Sequence, residues 1–191
     1  MVKPRYIPKL RRKTDYRKRK AAVMSRKPLL CVRISNENTL VQYILPSIGG
    51  DRVLASAHSR QLLKYGWKGS RNNSPAVYLT SLLASYRALK AGVKDAILYT
   101  GLHPYVHGSR LGAAVRGALD AGISIPTDEE SLPSKERIKG EHIAKYAKYL
   151  MENDPIRYRT IFSRLLAEGF KPEDYPKHFE EVRNLIVSKM G

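Results

Sequence analysis

Apolar positions along the chain change their spacing twice. They are sparse before Pro28, alternate with polar residues from Leu29, and recur every three or four residues from Ser74. Leu29–Ser35 (LLCVRIS) is rich in β-formers, with Val32 and Ile34 on either side of Arg33. Asn36-Glu37-Asn38 is turn material, and Thr39–Leu45 (TLVQYIL) reads as the returning strand. Pro46 and Gly49-Gly50-Asp51 make a second turn, followed by a strand near Arg52–Ala57. Ser59–Tyr65 reads as a short helix ending at Gly66.

The helical period takes over next. Ser74 is placed to cap a helix with Pro75 at its first position, where a missing N–H costs nothing. Leu79, Leu82, Leu83, Tyr86 and Leu89 carry that helix to about Lys90, and Gly92 stops it. Asp95–Thr100 (DAILYT) predicts a buried strand, Gly108-Ser109-Arg110 opens a helix to about Ala121, and Ile123–Ile125 a last strand before Pro126. The fold class is α/β: a three-stranded antiparallel meander, then two helix–strand crossovers, in a mixed sheet of ribonuclease H-like order. Ser134 caps a further helix with Ile138, Ile143, Tyr146, Ala147, Leu150 and Met151 on its apolar side. Asp154-Pro155 starts another through Tyr158, Ile161, Phe162, Leu165 and Leu166 to Gly169, and Tyr175–Met190 holds the last, with Phe179, Val182 and Ile186 inward. The expected organisation is a basic N-terminal arm over 1–27, an α/β core over 28–127 and a helical C-terminal extension over 128–191.

Charge changes the picture most. The 191 residues carry 35 Lys+Arg against 17 Asp+Glu, a net +18. Residues 1–27 hold twelve of those cations and one acid, Asp15. Such a block repels itself, and Pro4 and Pro8 add extended backbone, so an arm ordered by phosphates is predicted. Tyr6 and Tyr16 lie among the cations, placed to stack on unpaired bases. A solvated tail, a membrane-surface anchor and a nuclear address are the rival readings, though an anchor wants an apolar helix face that is missing here. No apolar run exceeds four residues, which excludes a membrane span, and the lone Cys31 excludes an internal disulfide. A reducing, cytoplasmic setting is expected.

Catalytic chemistry finds little purchase. No phosphate loop and no GxGxxG follows a strand. His103 and His107 flank Pro104 without a third ligand, and His142 lacks the second histidine of a zinc-protease helix. Cys31, in an apolar strand, reads as a buried thiol. A two-metal nuclease needs clustered carboxylates. The first strand offers Arg33 instead, and Asp51 and Asp95 stand apart. Neither catalytic nor metal-ligating residues are assigned.

Binding candidates come from charge at turns. Gly108, Ser109 and Arg110 precede a helix whose free amides and dipole favour an anion, with Ser109 as a plain N-cap the competing reading. Gly112 and Gly117 inside that helix serve close packing or close RNA approach. Lys68, Arg71, Asn72 and Asn73 form a polar loop that binds RNA or is merely solvated. Arg33 reaches RNA from an exposed strand face or is only the polar member of an alternating strand.

RRKTDYRKR (Arg11–Arg19) resembles the basic N-terminal motif of archaeal and eukaryotic members of large-subunit ribosomal protein family eighteen. The likeness runs through VRIS (32–35), GDRVLASAHS (50–59), NSPAVYLT (73–80), ASYRALKAG (84–92), GLHP (101–104), GSRLGAAVRGALDAGISIP (108–126) and ERIKGEHIAKY (136–146). It covers about residues 10–150, and the helices beyond look like the C-terminal extension of archaeal-type members. One departure stands out: Arg11-Arg12 run straight into Lys13, where archaeal relatives often carry additional residues. The resemblance implies a translational-machinery-component fold and a structural protein that binds 5S ribosomal RNA and attaches it to 23S RNA in the central protuberance. A large-subunit ribosomal protein of family five and neighbouring subunit proteins are its implied partners, with no cofactor and no small-molecule substrate. It assigns RNA contact to Arg11, Arg12, Lys13, Thr14, Asp15, Tyr16, Arg17 and Arg19, with Lys20 beside them. Asp15 would shape the arm's turn, or accept from an arginine or a ribose hydroxyl. Another RNA- or DNA-binding module and a nuclease are the alternatives.

Overall fold

A computed structural model describes residues 14–191. Arg11, Arg12, Lys13 and Tyr6 lie outside the described residues.

Tyr16–Ser25 form a helix, α1, where repulsion predicted an extended arm. The cause is local. Asp15 lies in extended backbone and its Oδ1 accepts the amides of Arg17 (3.1 Å) and Lys18 (3.2 Å), satisfying two orphan donors with a favourable negative charge. The repulsion is relieved at both ends of the segment: Arg19 donates twice to Asp51, and Lys27 Nζ lies 3.2 Å from Asp95. Arg26, at φ 53°, ends the helix.

Strands β1 (Leu29–Ile34), β2 (Thr39–Leu45), β3 (Arg52–His58) and β4 (Ile97–Tyr99) make one sheet in the order β3-β2-β1-β4. β1 pairs antiparallel with β2 and parallel with β4, and β2 pairs antiparallel with β3. The expected strand over 95–100 shortens to three residues. The one expected over 123–125 reduces to a single parallel bridge, Asp95 to Ser124. Pro126 follows immediately, so the chain cannot continue a ladder there.

Alternation on β1 gives the sheet two apolar faces. Leu30 and Val32 point to the main core with Val41 and Tyr43, under α2 (Ser74–Lys90), α3 (Arg110–Ala121) and α8 (Tyr175–Met190). Leu29 and Cys31 point the other way with Ile44, where Ala22 of α1 packs on them. Helix α2 is capped by Asn73, whose side chain accepts the Ala76 amide at 3.1 Å, so Ser74 is already helical. Four hydroxyls buried along it are bonded: Tyr78 to Asp120, Thr80 to the Ala76 carbonyl, Ser81 to the Ala114 carbonyl, and Ser85 to Tyr43 and the Ser81 carbonyl.

The extension breaks more often than its periodicity suggested. Gly140, at φ 82°, splits the first predicted helix into α4 (Lys135–Lys139) and α5 (Glu141–Asn153). A second break at Phe162 separates α6 (Pro155–Ile161) from α7 (Ser163–Ala167). Tyr146, Met151 and Ile161, expected inward, are exposed, because the small cluster of Ala147, Leu150 and Phe162 is filled from the other side of the hairpin.

The structure also decides between the two readings of the helical glycines in α3. A β-carbon on Gly117 would lie 2.6 Å from the Tyr78 carbonyl oxygen, and one on Gly112 2.9 Å from Pro133 Cδ. Both glycines therefore serve helix packing. Gly117→Ala should lower unfolding stability by about 1–3 kcal/mol through overpacking, although alanine is the better helix former. Urea melts of the two proteins measure this, and equal midpoints would mean that α2 and α3 part at no cost.

Candidate nucleic-acid interface

The sheet face that carries Leu29 and Cys31 is only partly covered by α1. Toward the Ile34 end of β1 it opens into a cleft of about 670 Å³, whose walls include Thr14, Tyr16, Arg19, Arg33, Tyr99 and His103. A second cleft, of about 230 Å³, adjoins it and shares Val32, Ile34 and His103; Ser109 and Arg110 stand on its far wall. Arg110 then donates to the Asn72 carbonyl at 3.0 Å, and the Asn72 amide donates to the Asn36 carbonyl. One band thus runs from α1 across β1 to the start of α3 and the loop before α2.

Most predicted residues fall on this band, with roles that differ from residue to residue. Arg17 and Lys20 are exposed on α1, and Tyr16 is 77% exposed. Arg33 is exposed on β1, in register with Leu40. Asp15 is occupied by its own helix amides and acts as a cap. Lys68 and Arg71 line a separate cleft of about 490 Å³ against Arg164 and Tyr175 of the extension. Their loop is fastened from below: the Lys68 amide donates to His178 Nε2 at 3.1 Å, and the Arg71 carbonyl accepts from Thr39 at 3.3 Å.

The anion site expected at Gly108-Ser109 is corrected in part. Gly108 N–H donates to the Ser131 carbonyl at 3.0 Å and Ser109 N–H to the Val106 carbonyl at 3.2 Å, so neither amide is free. Ser109 holds the N-cap position in extended backbone, yet its hydroxyl caps nothing. Its Oγ is buried and has no partner among the described residues. The Arg110 guanidinium stands at the α3 start, on the wall of the smaller cleft.

Two contributors escaped the sequence reading. His103 reads from sequence as an incomplete metal pair and Tyr99 as a strand residue, yet both line the larger cleft. The signal was there in Asp95–Thr100 followed by GLHP: residues just beyond a strand end collect at the sheet's open end.

The carboxylates have other work. Asp51 accepts both Arg19 bonds and Asp95 faces Lys27, and among the described residues no three His, Cys, Asp or Glu converge. The Arg19 hydrogen bond holds the Asp51 carboxyl below its ordinary range. Burial pushes the Cys31 thiol up to about 11, leaving it protonated and inert.

Residues 4–97 match the family described as ribosomal large subunit proteins 60S L5 and 50S L18. Large ribosomal subunit protein uL18 of Aeropyrum pernix is 52% identical over 188 residues, covering 96% of this chain and 88% of the relative. Its counterpart in Caldivirga maquilingensis is 49% identical over 190 residues, covering 97% and 92%. That of Thermofilum pendens is 49% identical over 174 residues, covering 91% and 89%.

Removing the unpartnered hydroxyl in Ser109→Ala should leave stability unchanged or slightly higher, against the loss of about 0.5–2 kcal/mol for a working cap. Thermal melts decide between them. The Asp51 pair sets a pH dependence for α1. A lowered folded pKa means that its contribution is complete above the ordinary value of 3.8 and is lost as pH falls through the lower folded value. For so exposed a pair it amounts to about 0.2–1 kcal/mol. Hydrogen exchange of the α1 amides, corrected for intrinsic rates, should therefore stay level from pH 7 to 5 and accelerate only in stronger acid. In Asp51→Asn the same acceleration, up to about fivefold, should be present throughout.

Proposed function

The chain belongs to the uL18 family of large-subunit ribosomal proteins, and from that premise we propose that it binds 5S ribosomal RNA and joins it to 23S RNA in the central protuberance. As a member of that family it is a structural component of the large ribosomal subunit and not an enzyme. The observation that carries the finer reading is the continuous band of clefts, which gathers cations from three separate segments beside exposed aromatic rings. Arg33 and Arg110 meet phosphates, where a guanidinium bonds two oxygens at once. Tyr16 stacks on an unpaired base.

The distribution of charge supports the same assignment. Residues 128–191 hold twelve cations and twelve acids, so the whole +18 resides in residues 1–127. The basic arm and α/β core accordingly take the RNA in this proposal. A family-five ribosomal protein and other subunit neighbours take the remaining surface. The ribonuclease H-like layout belongs to the same reading, supported by the order β3-β2-β1-β4 with its one parallel pair.

Residues 1–13 supply six cations ahead of α1. If about half of them reach phosphates, their deletion should make the log–log salt dependence of 5S RNA binding shallower by about 2–3 units. Footprinting on 5S RNA should lose only the arm's protections, and the folded core should persist. An unchanged slope with full affinity would remove the arm from the interface, and indifferent binding to any duplex would overturn the 5S assignment.

A further inference from the structure

Residues 52–94 carry eight cations and no Asp or Glu. The rest of the core, residues 28–51 and 95–127, has three cations against four acids, so this run holds the core's whole surplus. Lys68 and Arg71, in the loop before α2, account for two of the eight. Others gather where the short helix Ser59–Tyr65 and the ends of α2 and α8 meet the outer strand β3. There Lys64, Arg87 and Lys189 line a cleft of about 270 Å³ with Gln61 and Tyr65, and no carboxylate stands among them. Helices α2 and α8 cover the sheet face opposite α1, so this cleft lies apart from the band between α1 and α3.

None of the three cations enters an ion pair among the described residues. Two are held in place by uncharged partners. Arg87 donates to the Ser56 carbonyl at 2.6 Å and to Gln61 Oε1 at 2.8 Å. Lys189 Nζ stands over the Tyr65 ring, 5.5 Å from its centroid. Each of the three sits in the last turn of its own helix, where the dipole favours a cation. A helix end carries only about half a negative charge, so about half of the positive charge stays unmatched. Lys90, one turn beyond Arg87 on α2, adds to that surplus. Positive charge fixed in position and left uncompensated suits a polyanion. The centre of a protein interface is apolar and poor in lysine, whereas this lining is cationic and its one ring is engaged by Lys189.

We propose that this cleft is a second nucleic-acid surface, which takes the phosphate backbone of an RNA segment other than the one on the band. Contacts of this kind position an RNA and read no sequence. With one surface on each face of the sheet, a single chain holds two segments at once. This second surface stands whichever RNA the band takes.

Polyuridylate, a backbone without sequence information, is titrated into the full chain alone and into its complex with 5S RNA, over a series of salt concentrations. Lys64→Gln/Lys189→Gln removes two exposed cations. At about 0.7 per phosphate contact on a single strand, the log–log salt slope should become shallower by about 1–1.5 units in both titrations. Acetylation of Lys64 and Lys189 in the wild-type chain should slow when polyuridylate is bound, a reading that needs no variant. Lower 5S affinity in the variant places both segments in that one RNA, and unchanged 5S affinity leaves the second segment to another. Equal slopes in the two proteins, or acetylation at the free rate, overturns the proposal. So does an acidic protein whose binding the variant abolishes while RNA binding is unaltered. If 5S RNA does not bind at all, the 5S assignment fails, and the titration of the free chain still reads this face.

Discussion

The arrangement depends on one buried phenol. Tyr175 is 1% exposed, and its hydroxyl accepts the Asn73 amide at 2.6 Å while the Asn73 carbonyl oxygen caps α2. Trp67 meets the ring edge-on at 5.5 Å between centroids, and Phe170 does so at 5.7 Å. Gly140 comes so near that a β-carbon there would lie 2.8 Å from the ring. Burial pushes the hydroxyl up to about 12, so it stays neutral. A single side chain at the start of α8 thereby joins the entry to α2, the α4–α5 break and the loop over 66–73.

This joint explains how a charge-neutral extension bears on a basic interface. The extension adds no net charge, but it holds in place a loop that does. Tyr175 and His178, one turn apart on α8, grip that loop through Asn73 and the Lys68 amide, and His178 stacks on Trp67 at 5.2 Å. Asn72 on the same loop is the end point of the Arg110 contact. Rigid apolar packing on one side thus sets where cations stand on the other, the usual way in which a scaffold positions a polar surface.

Local rules were legible wherever local forces decide. β2 followed from alternation and turn residues and α8 from its apolar stripe, both to the residue, and β1 ended one residue short of the expected Ser35. The errors arose where tertiary contacts intervene. Pro126 marks where a ladder beyond Ile123–Ile125 must stop, but not that the sheet has room only for a bridge. Gly140 lies inside a convincing helical stripe, and only the Tyr175 ring shows why the chain must turn there. The helix of α1 was hidden by its charge, since the acid that steadies Arg19 is 32 residues away. Ser109 had the right type and position for a cap, yet its hydroxyl turned inward. The candidate site was readable as a set of residues, while its continuity across β1, Tyr99 and His103 emerged only from the fold.

The bond between Arg19 and Asp51 has a consequence for how tightly ionic strength can govern this surface. An unpaired arginine on a polyanion gains from the small ions it sets free from the nucleic acid. Arg19 already carries its own neutralising ion, covalently part of the chain. A phosphate that takes Arg19 strands the Asp51 carboxylate close by, and the freed carboxylate repels the newcomer. The number of cations on the surface therefore overstates the number whose binding salt can tune. Arg19 acts as an internally compensated post that keeps α1 on the sheet, and its uncompensated neighbours are the ones left open to the long-range attraction of a polyanion.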